Sequence, residues 1–213
     1  MIKLSKGKLP GKLIVFEGTD GAGKTTMIAR AERYLRERYG AEVLLQKQPT
    51  DLSRKTKLFQ KMMYCAHHEE IDYRAVQLLT LSDRVQHNHE VILPALREGK
   101  VVICDRYLYT SVANMRARGY WRERWFFAAA RSIRKPDLTF LAYVPPACAI
   151  ARIRSRPEEC SRHLNEALLS AAAREFLKLK KSEGFTLIDT ETDAERAFAS
   201  VREKLDELME KKR

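Results

Sequence analysis

The sequence predicts an α/β fold, a parallel sheet covered on both faces by helices, and three observations carry that prediction. Short apolar runs alternate with longer helical patterns along the chain, the rhythm of successive βα units. One run, Val101-Val102-Ile103-Cys104, is apolar without a break, as expected of a strand buried on both faces. The first run, Leu13-Ile14-Val15-Phe16, leads into Gly18-Thr19-Asp20-Gly21-Ala22-Gly23-Lys24-Thr25, which matches G-x-x-x-x-G-K-[ST] and opens a helical pattern.

In chain order, strands are expected at Leu13–Glu17, Glu42–Lys47, Val101–Asp105, Thr139–Val144 and Phe185–Asp189. The first helix is expected over Lys24–Tyr39, with Gly40 as its C-cap. Tyr73–Glu98 reads as one long helix with Asp72 as N-cap, Gly99 beyond its end and a kink available at Pro94. Ala147–Arg154 and Asn165–Lys181 flank an Arg-rich break containing Pro157. Asp193–Lys211 is amphipathic, and its closing Lys and Arg residues suit the helix dipole. The first ten residues and the final Lys211-Lys212-Arg213 are expected to fray.

The 213 residues carry no repeat or low-complexity linker and read as a single domain, 1–213. With 45% apolar and 32% charged residues the composition suits a soluble globular protein. No apolar run approaches the ~20 residues that cross a bilayer, and the N-terminus lacks a signal-peptide pattern, so a cytoplasmic protein without a membrane partner is expected. Cys65, Cys104, Cys148 and Cys160 are widely spaced, which argues for small buried hydrophobes over disulfides or zinc. His87 and His89 fall on different helix faces and His67-His68 reads as a polar turn, so neither pair has metal-ligand spacing. The net charge of +12 calls for an anionic partner, either nucleic acid or nucleotides carrying several phosphates.

The glycine-rich run supplies phosphate chemistry directly. Backbone N–H groups of Gly18, Thr19, Asp20, Gly21, Ala22 and Gly23 would curl around an anion, and the following helix adds its positive end at Lys24, Thr25 and Thr26. Lys24 would reach the β/γ-phosphates of ATP, and the Thr25 hydroxyl would sit on Mg²⁺. Asp105-Arg106-Tyr107 follows the most apolar strand at its C-terminal edge, where open α/β sheets bind ligands. Asp105 there can serve Mg²⁺, and Arg106 can clamp an oxyanion.

Four segments resemble the thymidylate kinase family: Phe16-Glu17-Gly18-Thr19-Asp20-Gly21-Ala22-Gly23-Lys24-Thr25-Thr26, Ser82-Asp83-Arg84-Val85-Gln86-His87, Gly99 through Tyr107, and Lys135-Pro136-Asp137-Leu138-Thr139-Phe140-Leu141. The resemblance implies a P-loop NTPase fold with a five-stranded parallel sheet, a short Arg-rich lid near 154–164, and phosphoryl transfer from ATP to a nucleoside monophosphate, dTMP first among candidates. It also implies that Asp20 accepts a hydrogen bond from the acceptor's 3′-hydroxyl and that Arg84 and Arg106 hold the acceptor phosphate. Family members take a catalytic arginine either from the phosphate loop or from the lid. The loop position here is Gly21, so the lid must provide it, with Arg154 and Arg156 preferred over Arg152 and Arg162. Adenine would rest near Asp193, and the long 73–98 helix is a candidate homodimer surface.

Three departures fall on the acceptor side. Gln46-Lys47-Gln48-Pro49 stands where the family usually has Phe-Arg-Glu-Pro, so Lys47 keeps the charge without the bidentate fork and Gln48 lacks a carboxylate. Thr80 stands where the family stacks a Phe on thymine, an interaction worth ~1–3 kcal/mol per base in nucleic-acid sites. Asn114-Met115 follows Ala113 where the family has Ala-Tyr-Gln. Two other readings therefore stay open: a related kinase with a different nucleotide or nucleoside acceptor, and a nucleic-acid-binding NTPase. The second draws on Arg116-Ala117-Arg118-Gly119-Tyr120-Trp121-Arg122-Glu123-Arg124-Trp125-Phe126-Phe127, whose aromatics could instead pack on the core or reach the acceptor pocket.

Overall fold

Alternation within each strand divides the core in two. In the computed structural model, which describes residues 2–64, 70–157 and 164–210, Lys12–Glu17 forms β1, Val43–Lys47 β2, Val101–Asp105 β3, Leu138–Tyr143 β4 and Thr186–Asp189 β5. They make one parallel sheet in the order β2-β3-β1-β4-β5. Leu13, Val15, Val102, Cys104 and Leu141 face one buried layer, while Ile14, Phe16, Ile103, Phe140 and Ile188 face the other. That two-sided burial is why the strands read as unbroken apolar runs. Phe16 and Phe140 stack across the second layer, with ring centroids 4.9 Å apart.

The helices in chain order are α1 (Lys24–Tyr39), α2 (Asp51–Arg54), α3 (Lys57–Tyr64), α4 (Tyr73–His87), α5 (Leu93–Arg97), α6 (Leu108–Ala117), α7 (Arg124–Ala130), α8 (Pro146–Arg154), α9 (Glu166–Glu183) and α10 (Ala194–Glu210). Buried residues of α1 and α10 join the second layer; those of α4, α5, α6 and α9 join the first. The expected Tyr73–Glu98 helix is interrupted: α4 passes through a π-helical turn, Asn88–Ile92, into α5. Pro94 has no N–H to offer the carbonyl four residues back and its ring crowds that carbonyl, so the ladder widens just before it. Asp72 caps α4 as expected, and Asn165 caps α9 by accepting from Leu168 N at 3.0 Å.

The N-terminal segment is tied down, contrary to the expected fraying. Ser5 bridges to Arg134 beside β4, Ile2 N donates to Glu183 Oε1 at 2.8 Å, and Leu4 is buried. Cys65, Cys160, Arg162, the His67-His68 turn, the centre of the 154–164 lid and the final Lys211-Lys212-Arg213 lie outside the described residues. Among those described, no helix is long and apolar enough to cross a membrane.

Candidate active site

The sheet order reverses around β1, so the loops after β1 and β3 open into the same crevice at the carboxyl edge. The loop after β1 is packed against backbone on its outer side. A Cβ at Gly18 would lie 2.4 Å from Ala142 O, and one at Gly21 2.4 Å from Ala149 O. Gly21 also has φ +75°, so this position can carry no arginine, and a catalytic cation must come from elsewhere. Thr190, which no sequence pattern singles out, and Arg152, one of the lid candidates, brace the loop. Thr190 Oγ1, just past β5, donates to Ala22 O at 2.9 Å, and Arg152 donates to Thr190 O at 2.9 Å and Gly21 O at 3.4 Å.

Lys24 turns back into the loop, donating to Thr19 O at 2.8 Å and Gly18 O at 3.2 Å. Burial pulls its pKa down to about 8, helped by the nearby Arg106 charge and opposed by Asp20, Asp105 and Glu17. Thr25 and Thr26 are exposed on the first turn of α1.

At the end of β3, Asp105 sits in register between Phe16 of β1 and Lys47 of β2. Its Oδ1 is buried and has no hydrogen-bond partner. Arg106 takes a left-handed backbone conformation, φ +68°, which costs a non-glycine residue about 1–3 kcal/mol and persists only where surroundings enforce it. Its side chain donates to Gly18 O at 2.9 Å and to Asp20 Oδ1 at 2.5 Å, closing the two loops on each other. Glu17 does the enforcing. This fully buried carboxylate accepts from Tyr107 N at 2.9 Å, Thr110 N at 3.1 Å and Thr110 Oγ1 at 2.5 Å, capping α6 from a different strand. Burial raises its pKa, while the Thr110 hydroxyl and the Arg106 and Arg84 charges pull the other way.

The acceptor wall is one face of α4, where Tyr73, Gln77, Thr80 and Arg84 recur at helical spacing and are all buried. Arg84 is 1% exposed; its Nη1 donates to Thr80 O at 3.0 Å and its Nε has no partner. Burial lowers its pKa to about 10 despite the neighbouring Glu17 and Asp83 carboxylates. Opposite, Arg118 lies 4.1 Å from the Tyr73 ring centroid and donates to Asn114 Oδ1 at 3.2 Å. Phe59, Tyr73 and Phe176 line the cleft, whereas Tyr120 and Trp121 are not among its lining residues. Phe126 is buried in the core with Trp125 and Phe127 packed against it, and Trp121 lies exposed between Arg116 and Lys178.

The second-strand loop is held from α4. His87 bridges Gln48 at 2.9 Å and Gln46 at 2.8 Å through its two ring nitrogens, and burial lowers its pKa, so one nitrogen donates and the other accepts. Asp83 accepts from Thr50 N at 2.7 Å and Thr50 Oγ1 at 2.8 Å. This anchoring places Lys47 and Arg54, the latter with no motif to announce it, on the cleft wall. In the lid, Arg154 pairs with Glu166, whereas Arg156, beyond the end of α8, lines the cleft.

One continuous cleft of about 480 Å³ joins the phosphate loop to the α4 wall. Among the described residues it is lined by Lys24, Lys47, Arg54, Arg84, Arg106, Arg118 and Arg156 against the carboxylates of Asp20 and Asp105, a strong positive excess that matches a polyphosphate.

A family model, Thymidylate kinase, matches residues 16–201. The chain belongs to the thymidylate kinase family. The probable thymidylate kinase of Pyrococcus horikoshii is 41% identical over 149 residues, covering 68% of this chain and 71% of the relative. The probable thymidylate kinase of Thermococcus kodakarensis is 40% identical over 149 residues, covering 67% and 71%. The thymidylate kinase of Xanthomonas campestris is 36% identical over 196 residues, covering 91% and 81%. As a thymidylate kinase family member the chain is a nucleoside monophosphate kinase, and the P-loop fold implied by the resemblance is the one observed. Family motifs account for Lys24, Asp20, Asp105, Arg106 and Arg84 in one cleft. Gln77 and Arg54 join them on the cleft wall, and Thr190 braces the loop from behind, only through tertiary contacts.

Proposed function

We propose that the protein transfers the γ-phosphoryl group of ATP to the phosphate of dTMP, giving dTDP and ADP, in one domain spanning 1–213 under a lid near 154–164. The observation carrying this reading is the single cleft running from the phosphate loop to Arg84, with Arg106 where the two halves meet. Lys24 and the loop amides bind the β- and γ-phosphates, with adenine toward Asp193 after β5. The unpartnered Asp105 Oδ1 and the Thr25 hydroxyl are hard oxygen donors in the same cleft, a set that fits Mg²⁺. When bound, that ion neutralises charge on the transferring phosphates.

Arg106, with Lys47 and Arg84, orients the acceptor, and Asp20 accepts from its 3′-hydroxyl. Arg156 supplies the lid cation, since Arg154 is engaged by Glu166. Positioning and electrostatics perform the catalysis, and lid closure keeps water from the γ-phosphate. A homodimer through α4, which exposes Leu78, accompanies this reading and is checked by sedimentation velocity.

A kinase for a different monophosphate is the second reading, favoured by Thr80, Asn114 and Lys47 in the acceptor half. ADP formation from MgATP with each monophosphate separates the two, and Lys24→Ala abolishes turnover in both. Preference for an acceptor other than dTMP sinks the first.

A further inference from the structure

The rings of the Arg/aromatic segment 116–127 take different surroundings in the fold. Tyr120 packs on Tyr73, with ring centroids 6.2 Å apart, and Trp125 and Phe127 pack on the buried Phe126. Trp125 Nε1 also donates to Glu123 Oε2 at 2.5 Å. Trp121 alone among these rings turns outward, and it is 51% exposed.

A single exposed ring is ordinary; the setting of this one is not. Arg116 lies 5.6 Å and Lys178 5.5 Å from the Trp121 ring centroid. Lys178 belongs to the outer face of α9, where Arg174 stands four residues before it and Lys181 three after, all exposed. That row rises about 6 Å and then about 5 Å along the helix, close to the phosphate step of an extended strand. The carboxylates of both elements are engaged: Glu123 by Arg74, Glu166 by Arg154 and Glu183 by Ile2 N. Only Glu175, itself buried, reaches the row, accepting from Lys178 Nζ at 2.6 Å. The result is an outward-facing indole set in a row of cations.

We propose that Trp121 and the row of Arg174, Lys178 and Lys181 form a docking surface for single-stranded nucleic acid. One base stacks on the exposed indole, while the row and Arg116 hold the neighbouring phosphates. Stacking of this kind tolerates any base, because every base has a π-face. A duplex keeps its bases stacked on one another and offers none to the ring. An anionic lipid surface offers charge without a base. Neither Trp121 nor these cations line the catalytic cleft, so the surface is independent of the acceptor that the cleft takes.

The test is a fluorescence-anisotropy titration of a labelled oligothymidylate of about 12 nucleotides, with the duplex of equal length alongside. Excess MgADP is present throughout to fill the phosphate loop. At about 0.1 M salt the wild type should bind the strand at least about tenfold tighter than the duplex. Trp121→Ala should weaken strand binding by about 5- to 150-fold, the span of one lost base stack. Its melting temperature and nucleotide turnover should match the wild type, because the side chain is exposed and outside the cleft. Trp121→Phe keeps a ring and should keep most of the affinity. Arg174→Gln and Lys181→Gln should each flatten the slope of log K against log salt by about 0.7. Binding that is absent at this salt, equal for strand and duplex, or undiminished in Trp121→Ala overturns the proposal. Tighter association with phosphatidylserine vesicles than with the strand would assign the patch to a membrane and overturn it equally.

Discussion

Removing the Glu17 carboxylate tests whether one buried side chain holds the reacting edge of the sheet together. Glu17→Ala strips the partners from Tyr107 N, Thr110 N and Thr110 Oγ1, all within 3.1 Å of the carboxylate, and removes a buried anion facing Arg106 and Arg84. Deleting one member of a buried ionic network costs about 3–5 kcal/mol. For a chain of this length each kcal/mol lowers Tm by about 2–4 °C, so the melting point should fall by about 6–20 °C. Glu17→Gln keeps an acceptor for the backbone N–H groups and lets the Thr110 hydroxyl rotate to accept. It loses only the charge-assisted part, about 1–2 kcal/mol. Glu17→Ala releases the left-handed Arg106 backbone, so its kcat/KM for the acceptor should fall further than its KM for ATP rises, with a smaller loss in Glu17→Gln. Scanning calorimetry with a coupled ADP assay reads both effects. A Glu17→Ala protein melting within 2 °C of wild type would refute the reasoning.

Other consequences are open to direct measurement. In the free protein Lys24 gives up its proton near pH 8, whereas the unfolded chain holds it to about 10.5. The unfolded state therefore binds more protons between those values, and the free protein should gain stability as pH rises through that window. Bound phosphates favour the ammonium form, so ATP affinity should weaken by up to about tenfold per pH unit above 8; calorimetric titrations showing constant affinity from pH 7 to 9.5 would contradict this. Arg156→Ala should lower kcat by about 10³-fold or more, and Arg154→Ala by less than about threefold, in steady-state assays; equal losses would show that the lid rearranges its pairing. Gly21→Ala places a Cβ 2.4 Å from Ala149 O at φ +75°, so ATP binding should fall at least about tenfold, read by equilibrium titration.

The sheet was legible because its strands are buried on both faces and so read as unbroken apolar runs, and the phosphate loop because its backbone demands fixed glycines. α6 was not: Leu108, Tyr109, Ser111, Val112, Ala113 and Met115 are all buried, so no apolar stripe marks it. α2 and α3 are short pieces whose ends are set by Thr50 and Thr56 side chains rather than by periodicity. In the site, Lys24, Asp105 and Arg106 followed from motif position. Glu17 read as the last residue of a strand, since its partners lie some 90 positions away. Thr80 stood out only through the family resemblance, and Gln77 read as an ordinary polar helix residue, because its burial depends on the packing of α2, α3, α6 and α7 against α4. The lid arginines are two residues apart, and whether each meets Glu166 or the cleft depends on where α8 ends, which local sequence fixes poorly.

The most direct test of the central claim is ADP release from MgATP across a panel of ribo- and deoxynucleoside monophosphates, with dTDP identified as product. The account predicts the highest kcat/KM for dTMP and none of that turnover in Lys24→Ala. Turnover without dTMP preference, or activity surviving Lys24→Ala, would contradict it.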